Sequence, residues 1–146
     1  VRLLVDRYAA GPRAHLRGAL AAPPPVEYPE VGLYHPRAKG RIVDRVSKLP
    51  KPPKGCRGTV GVLVMRSYVL AGNTAHYDGV IAALEARGLH VVPAFAHGLD
   101  AREAVGRFFV DKGYATVDAV VSLTGFSLVG GPAYNDARAA EELLAN

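Results

Sequence analysis

Two stretches of this chain bring together residue types that can do chemistry. Residues 124–136 read Thr-Gly-Phe-Ser-Leu-Val-Gly-Gly-Pro-Ala-Tyr-Asn-Asp and directly follow the strand-like run 117–123. Residues 66–78 read Arg-Ser-Tyr-Val-Leu-Ala-Gly-Asn-Thr-Ala-His-Tyr-Asp and follow the apolar run 60–65. A shorter piece, Phe95-Ala96-His97-Gly98, follows a third such run. Ligands of open α/β sheets bind outside the carboxyl ends of the strands, so the three segments are expected to line one crevice. They would offer it a cation, imidazoles, hydroxyls, carboxylates and glycine-rich backbone, a set suited to an anionic or amphipathic small ligand.

Each group has a functional and a structural reading. His76 stands two residues before Asp78, where it could accept a proton or bind a metal beside a carboxylate. Equally, Asp78 favours a helix N-terminus and His76 bonds a loop carbonyl. The spacing assembles no three-ligand metal site. Arg66, leaving a buried strand, is an anion-binding candidate or the ion-pair partner of Asp78. Gly130-Gly131-Pro132 allows a ligand close to the backbone, or simply makes a tight turn. His97 suits a loop cap and His35 a place tucked under the domain, while His15 and His90 carry no signal. Gly61 lies inside a strand, as a packing site. Neither G-x-G-x-x-G after the first strand nor G-x-x-x-x-G-K-[ST] occurs, which excludes the common nucleotide fingerprints.

The elements that must position these groups recur with a regular period. Residues 60–65, 89–96 and 117–123 are apolar runs of the kind that strands covered on both faces show. Between the first two, Asn73 or Thr74 caps a helix with Tyr77, Val80, Ile81 and Leu84 on one face, and Gly88 stops it. Between the second and third, Asp100 and Glu103 have capping-box spacing, and Ala101, Ala104, Val105, Phe108 and Phe109 form a stripe. Asn135 or Asp136 opens a last helix, with Ala140, Leu143 and Leu144 towards the sheet. Strand–helix alternation at about thirty residues is the βαβ period, so the expected fold is α/β. Its form is a three-layer Rossmann- or flavodoxin-like parallel sheet, incomplete, with the first strand central.

The first 57 residues differ in character. They hold 12 Lys+Arg against 4 Asp+Glu and nine of the 11 prolines, whereas residues 58–146 hold 6 against 9. The expected division is therefore a Pro-rich basic connector over 1–57, with a short N-terminal helix, and a partial Rossmann-like domain over 58–146. The connector is expected to touch the domain only in patches, with a short strand near residues 31–36. Val1, Leu4, Val5 and Tyr8 share one helical face whose packing partner is expected upstream, and the absence of an initial methionine points to a piece of a longer protein. The basic excess lies in a segment with few aromatics and no recognition motif, which argues against nucleic acid. A single cysteine, Cys56, excludes an internal disulfide and fits a reducing compartment. No run approaches the ~18 residues of a membrane span, and no signal peptide is legible. A soluble, cytoplasmic protein is expected.

Several segments also carry a family resemblance. Met65-Arg-Ser-Tyr-Val-Leu-Ala-Gly-Asn-Thr-Ala-His-Tyr-Asp-Gly-Val-Ile81, Leu84-Glu-Ala-Arg-Gly88, Val92-Pro-Ala-Phe95 and the run from Val120 to Asp136 resemble the porphyrin-binding large subunits of magnesium chelatases. The bacteriochlorophyll-pathway form is the most similar. Cobalt-inserting chelatase subunits share the general pattern but are less similar at residues 76–78 and 124–136. The resemblance implies an internal fragment of a large subunit to which protoporphyrin IX binds during ATP-dependent insertion of Mg²⁺, with Mg²⁺ as a substrate ion. Two AAA+ type partner subunits would hydrolyse the ATP, and the isolated fragment would be inactive. His76 and Asp78 would then be the candidates for pyrrole-proton transfer. Arg66, Tyr77, Thr124, Gly125, Gly130, Gly131, Asn135 and Asp136 would be the candidates for substrate contact. The alternatives are a cobaltochelatase subunit of cobalamin synthesis, or a non-catalytic scaffold domain of such a subunit.

Overall fold

The computed structural model describes residues 1–19, 21–131 and 134–145. In chain order the elements are α1 (Arg2–Tyr8), β1 (Gly32–Tyr34), β2 (Ile42–Val43), β3 (Gly58–Leu63), α2 (Arg66–Ala71), α3 (Ala75–Glu85), β4 (Leu89–Phe95) and α4 (Arg102–Phe108). A small hairpin, β5 (Val110–Asp111) and β6 (Tyr114–Ala115), precedes β7 (Ala119–Ser122). The pair β8 (Gly130–Gly131) and β9 (Tyr134–Asn135) and the helix α5 (Ala137–Leu144) follow.

The main sheet has the order β2-β1-β4-β3-β7. β3 pairs parallel with β4 and with β7, which puts the first strand of the βαβ series between the other two, as expected. Alternation along the strands sorts the core into two layers. Val60, Val62, Val64, Val91 and Phe95 meet Val69 of α2 and Tyr77 and Ile81 of α3. On the other face Leu63, Val92 and Ala94 meet Ala104, Val105 and Phe108 of α4, together with Phe109 and the partly buried Leu143 of α5. Helices therefore cover both faces, giving a three-layer α/β unit. Leu144, expected to face the sheet, is 62% exposed, because one residue of helix turns it about 100° away from Leu143.

Two expectations about the architecture need correction. The sheet is mixed rather than all parallel, since β1 pairs antiparallel with both β4 and β2. These two strands come from the stretch expected to be a connector. Val31, Leu33, Ala38, Val43 and Leu49 are buried in the same cluster as Val92 and Phe109, so part of that stretch contributes to the core. The prolines concealed this because Pro29, Pro36 and Pro50 lie outside the two strands, Pro36 in the loop that joins them. No described residue among 1–30 is buried, and the apolar face of α1 stays open, with Leu4 60% and Tyr8 69% exposed.

Local chemistry also departs from the pattern at two helix starts. Residues 66–71 form α2 where a loop was expected, ended by Gly72 at φ 73°. Asp100 does not close a capping box; its Oδ1 accepts the Arg102 backbone N–H at 2.9 Å, and its carboxylate pairs with the Arg102 guanidinium. Asp136 does cap α5, accepting the Ala139 N–H at 2.9 Å.

A buried polar cluster ties the β1 end to α3. His35, 1% exposed, accepts the Arg37 backbone N–H on Nδ1 at 3.2 Å and therefore carries its proton on Nε2, which donates to Glu85 Oε1 at 3.2 Å. Burial lowers the affinity of the ring for a second proton below the ordinary value of 6.5; Glu85 opposes this, and Arg37 and His90 reinforce it.

This packing can be tested at two glycines and one histidine. A Cβ at residue 61 would stand 2.7 Å from the buried Phe109 ring, whereas one at Gly79, on the outer face of α3, would meet nothing within 4 Å. Gly61→Ala should therefore cost about 1–3 kcal/mol of unfolding free energy. Gly79→Ala should gain roughly 0.5–1 kcal/mol. Urea midpoints of the two variants should move in opposite directions. The histidine makes stability depend on pH: below about 6.5 the unfolded chain takes up a proton that folded His35 refuses, so stability falls as pH drops through that value. Urea midpoints between about pH 7.5 and 5.5 should show the loss, and His35→Gln should flatten it.

Candidate functional site

Parallel pairing brings the carboxyl ends of β3, β4 and β7 to one edge, and a crevice opens there. Val64 and Met65 after β3, Ala96, Gly98, Leu99 and Asp100 after β4, and Ser122 at the end of β7 with Thr124, Phe126, Ser127 and Leu128 beyond it contribute its walls. The lining is mainly apolar, with Asp100, Ser122, Thr124 and Ser127 as its polar groups. Its free interior is only about 20 Å³, roughly one water. Thr124 Oγ1 sits 3.0 Å from Ser122 Oγ and accepts the Phe126 N–H at 3.3 Å, which holds the loop's first turn.

Of the ten residues named as site candidates, Thr124 alone lines this crevice. Gly125 follows it with φ 74° and a surface-exposed backbone. Gly130 and Gly131 pair antiparallel with Asn135 and Tyr134. At Gly130, with φ 105°, a Cβ would lie 2.1 Å from the Tyr134 carbonyl oxygen, so the tight pair itself demands glycine. Pro132 lies outside the described residues. Asn135 is exposed, and Asp136 is the α5 cap already described.

The segment after β3 splits its two titratable candidates. His76 and Asp78 are two residues apart on α3, a spacing that points side chains to different faces. His76 turns towards aromatic neighbours: its ring centroid is 3.9 Å from that of Tyr77 and 5.4 Å from that of Tyr68. No described group hydrogen-bonds to its nitrogens, and the residue is exposed. Tyr77 is the buried member, 1% exposed, with its hydroxyl accepting the Met65 N–H at 3.1 Å. Burial raises the Tyr77 phenol above its ordinary value, although the Met65 N–H works the other way. Because Met65 also lines the crevice, the aromatic cluster adjoins it.

Asp78 turns instead to the β1–β2 hairpin. Its Oδ1 accepts the Tyr34 hydroxyl, and its Oδ2 accepts Arg41 at 3.2 Å and Thr74 Oγ1 at 3.5 Å. Arg41 also donates to Tyr34 Oη and to Thr74 Oγ1. The Arg41 backbone is left-handed, at φ 63°. That conformation costs a non-glycine residue about 1–3 kcal/mol and is held by this set of bonds. The Arg41 and Asp78 side chains are 48% and 32% exposed, so solvent screens their attraction. The buried Tyr34 hydroxyl is the firmer link, its phenol raised above the usual value first by burial and then by the bond to Asp78.

Arg66 does not pair with Asp78. Its Nε and Nη2 donate to the carbonyls of Pro29 and Tyr28, clamping the segment that leads into β1. Sequence reasoning missed Tyr34 and Arg41 as partners of Asp78. Both lie about forty residues upstream, and no local pattern announces the pairing. Among the described residues no group of three His, Cys, Asp or Glu is arranged to hold a metal. No described helix is long and apolar enough to cross a membrane.

The candidate site is thus the carboxyl-edge crevice of a three-layer α/β unit, and the His76 imidazole packs on Tyr77, which is bonded to the crevice residue Met65. The sequence profile of the CobN/Magnesium Chelatase family matches residues 1–146, and the chain belongs to that family. It is 57% identical over 144 residues to the magnesium-chelatase H subunit of Cereibacter sphaeroides, covering 99% of this chain and 12% of that protein. Against the chloroplastic magnesium-chelatase subunit ChlH of Oryza sativa subsp. indica the identity is 39%, over 77% of this chain and 9% of the relative. Against the aerobic cobaltochelatase subunit CobN of a Sinorhizobium species it is 33%, over 62% of this chain and 6% of the relative. The chain therefore spans about an eighth or less of the length of these relatives.

The network around Asp78 sets a stability test. Asp78→Ala strips the buried Tyr34 hydroxyl of its carboxylate acceptor and should lower unfolding free energy by about 1–3 kcal/mol. Asp78→Asn keeps one acceptor oxygen and should lose less. Equal losses in thermal or urea unfolding would contradict this account of the bond.

Proposed function

We propose that this chain is a segment of the porphyrin-binding H subunit of a magnesium chelatase, and that its carboxyl edge faces the protoporphyrin IX into which Mg²⁺ is inserted. The observation that carries the reading is the 57% identity to a magnesium-chelatase H subunit across 99% of the chain. The lower identity to the cobalt-inserting relative, 33% over 62% of the chain, weighs for magnesium over cobalt. The parent subunit works in the cytoplasm, and two AAA+ type partner subunits supply ATP hydrolysis; the lack of a P-loop in this chain fits that division of labour.

Inserting Mg²⁺ forms four nitrogen–metal bonds and releases the two pyrrole protons, so the reaction needs proton acceptors near the macrocycle. In this reading His76 is one of them. It is exposed, packs on Tyr77, whose hydroxyl accepts the N–H of the crevice residue Met65, and has both nitrogens free of described hydrogen-bond partners. Asp78 is assigned a positioning role, because both of its oxygens are engaged by the hairpin. Thr124, Phe126, Ser127 and Leu128 line the crevice, and Gly125, exposed at φ 74°, keeps side-chain bulk off the turn between them. The crevice has room for little more than a water, so a macrocycle would lie across this edge rather than inside it.

The test uses the full-length protein with its partner subunits. His76→Ala should lower Mg²⁺ insertion per folded molecule by roughly 10²-fold or more, as loss of a proton-transfer group does, while porphyrin affinity changes little. Insertion at the parental rate in this variant would instead make the domain a scaffold.

A further inference from the structure

We infer that Tyr68 is a further substrate-contact and positioning residue: its exposed ring holds the His76 imidazole edge-on and offers its own free face to a planar conjugated macrocycle. This rests on the functional reading above and adds to it a residue that neither the sequence motifs nor the crevice lining singled out.

Three observations carry the inference. The first is the geometry of the cluster. Tyr68 meets His76 at a centroid distance of 5.4 Å and an interplanar angle of 79°, and meets Tyr77 at 6.3 Å and 82°. Edge-to-face packing of this kind is the favoured aromatic arrangement. It fixes His76 between a buried ring and an exposed one without using either imidazole nitrogen. A histidine kept only for structure would more often spend those nitrogens on hydrogen bonds, as His35 does in the same molecule.

The second observation is how the backbone builds the corner. Gly72, left-handed at φ 73°, ends α2, and the Asn73 N–H returns to the Tyr68 carbonyl at 3.0 Å. α3 begins three residues later, so the Tyr68 side chain lies against the first turn of α3, where His76 sits. The buried Tyr77 is fixed in turn by the Met65 N–H, and Met65 lines the crevice. The cluster is thus anchored through Tyr77 to a residue of the crevice lining.

The third is the distribution of exposed apolar surface. Over residues 31–145, the described large hydrophobic side chains that stand exposed are Tyr68 (44%), Leu99 (37%), Tyr114, Tyr134 and Leu144. Three of these five, Tyr68, Leu99 and Tyr134, belong to the segments that leave the carboxyl ends of β3, β4 and β7. Leu99 lines the crevice directly. Exposed apolar groups on segments that leave one edge, with the imidazole beside Tyr68, match a ligand that is flat, conjugated and carries exchangeable N–H protons. A metal ion or a small anion would have no use for these apolar groups.

The experiment compares Tyr68→Phe, Tyr68→Ala and His76→Ala in the full-length protein, each measured for thermal midpoint, protoporphyrin IX affinity by fluorescence quenching, and Mg²⁺ insertion with the partner subunits present. Tyr68→Phe keeps the ring and should stay within about twofold of the parent in affinity and rate. Tyr68→Ala should weaken porphyrin binding by about tenfold and slow insertion further, as expected for one lost stacking face, with the thermal midpoint nearly unchanged. A lower midpoint with parental affinity per folded molecule would give Tyr68 a purely structural role and overturn the inference. Parental behaviour of Tyr68→Ala alongside slow insertion by His76→Ala would overturn it too, leaving the proton-acceptor reading intact. If both alanine variants match the parent, that reading falls as well.

Discussion

The parallel pairing of β3 with β4 and with β7 is the constraint on which the rest of the molecule depends. Parallel strands need crossovers that cover both faces of the sheet, so β3 is walled by α2 and α3 on one side and by α4 and α5 on the other. Such burial leaves no slack, and Gly61 is where this becomes visible: the Phe109 ring packs against the strand through the space a side chain would fill. The same pairing fixes direction. With Val60–Leu63 in register beside both Val91–Ala94 and Ala119–Ser122, three chain exits must fall at one edge, and a crevice forms between them.

What α3 does at that edge depends on how the β1–β2 hairpin holds it. Two polar clusters clamp the helix, Glu85 to His35 and Arg37 near its end and Asp78 to Tyr34, Arg41 and Thr74 near its start. The ion pairs in both are partly exposed, and such pairs contribute little once screened. The firm part is the buried partner in each, the His35 ring and the Tyr34 hydroxyl, because a buried polar group left unsatisfied costs about 1–3 kcal/mol. Held this way, the helix turns Asp78 towards the hairpin and leaves His76 on the aromatic cluster. About half a helical turn thereby separates a carboxylate bound into the hairpin from an imidazole whose nitrogens no described group engages.

The chain belongs to the CobN/Magnesium Chelatase family and matches about an eighth of the length of the Cereibacter sphaeroides H subunit. The crevice is small and lined mainly by apolar side chains. The backbone devices along the carboxyl edge are short turns fixed by glycine, at Gly72, Gly98, Gly125 and Gly130, all left-handed. They give the edge a defined surface made from backbone rather than from long mobile side chains.

By itself the sequence determined the βαβ period, the central place of β3, the stripes on α3 and α4, a cap at Asn135 or Asp136, and the family. Each of these is written in residues close together in the chain, where periodicity and capping chemistry act. It also marked 66–78 and 124–136 as the segments leaving the carboxyl ends, because strand polarity fixes that. Only the tertiary structure decided that residues 31–49 join the sheet and core, since two strands of three and two residues flanked by prolines carry no period long enough to read. It alone decided that Asp78 belongs to Tyr34 and Arg41, that Arg66 holds Pro29 and Tyr28 and not Asp78, and that Tyr68 leans on His76. Those pairings join side chains from separate elements, and their direction is set by helix rotation and hairpin twist, which appear only once the sheet has been assembled and packed.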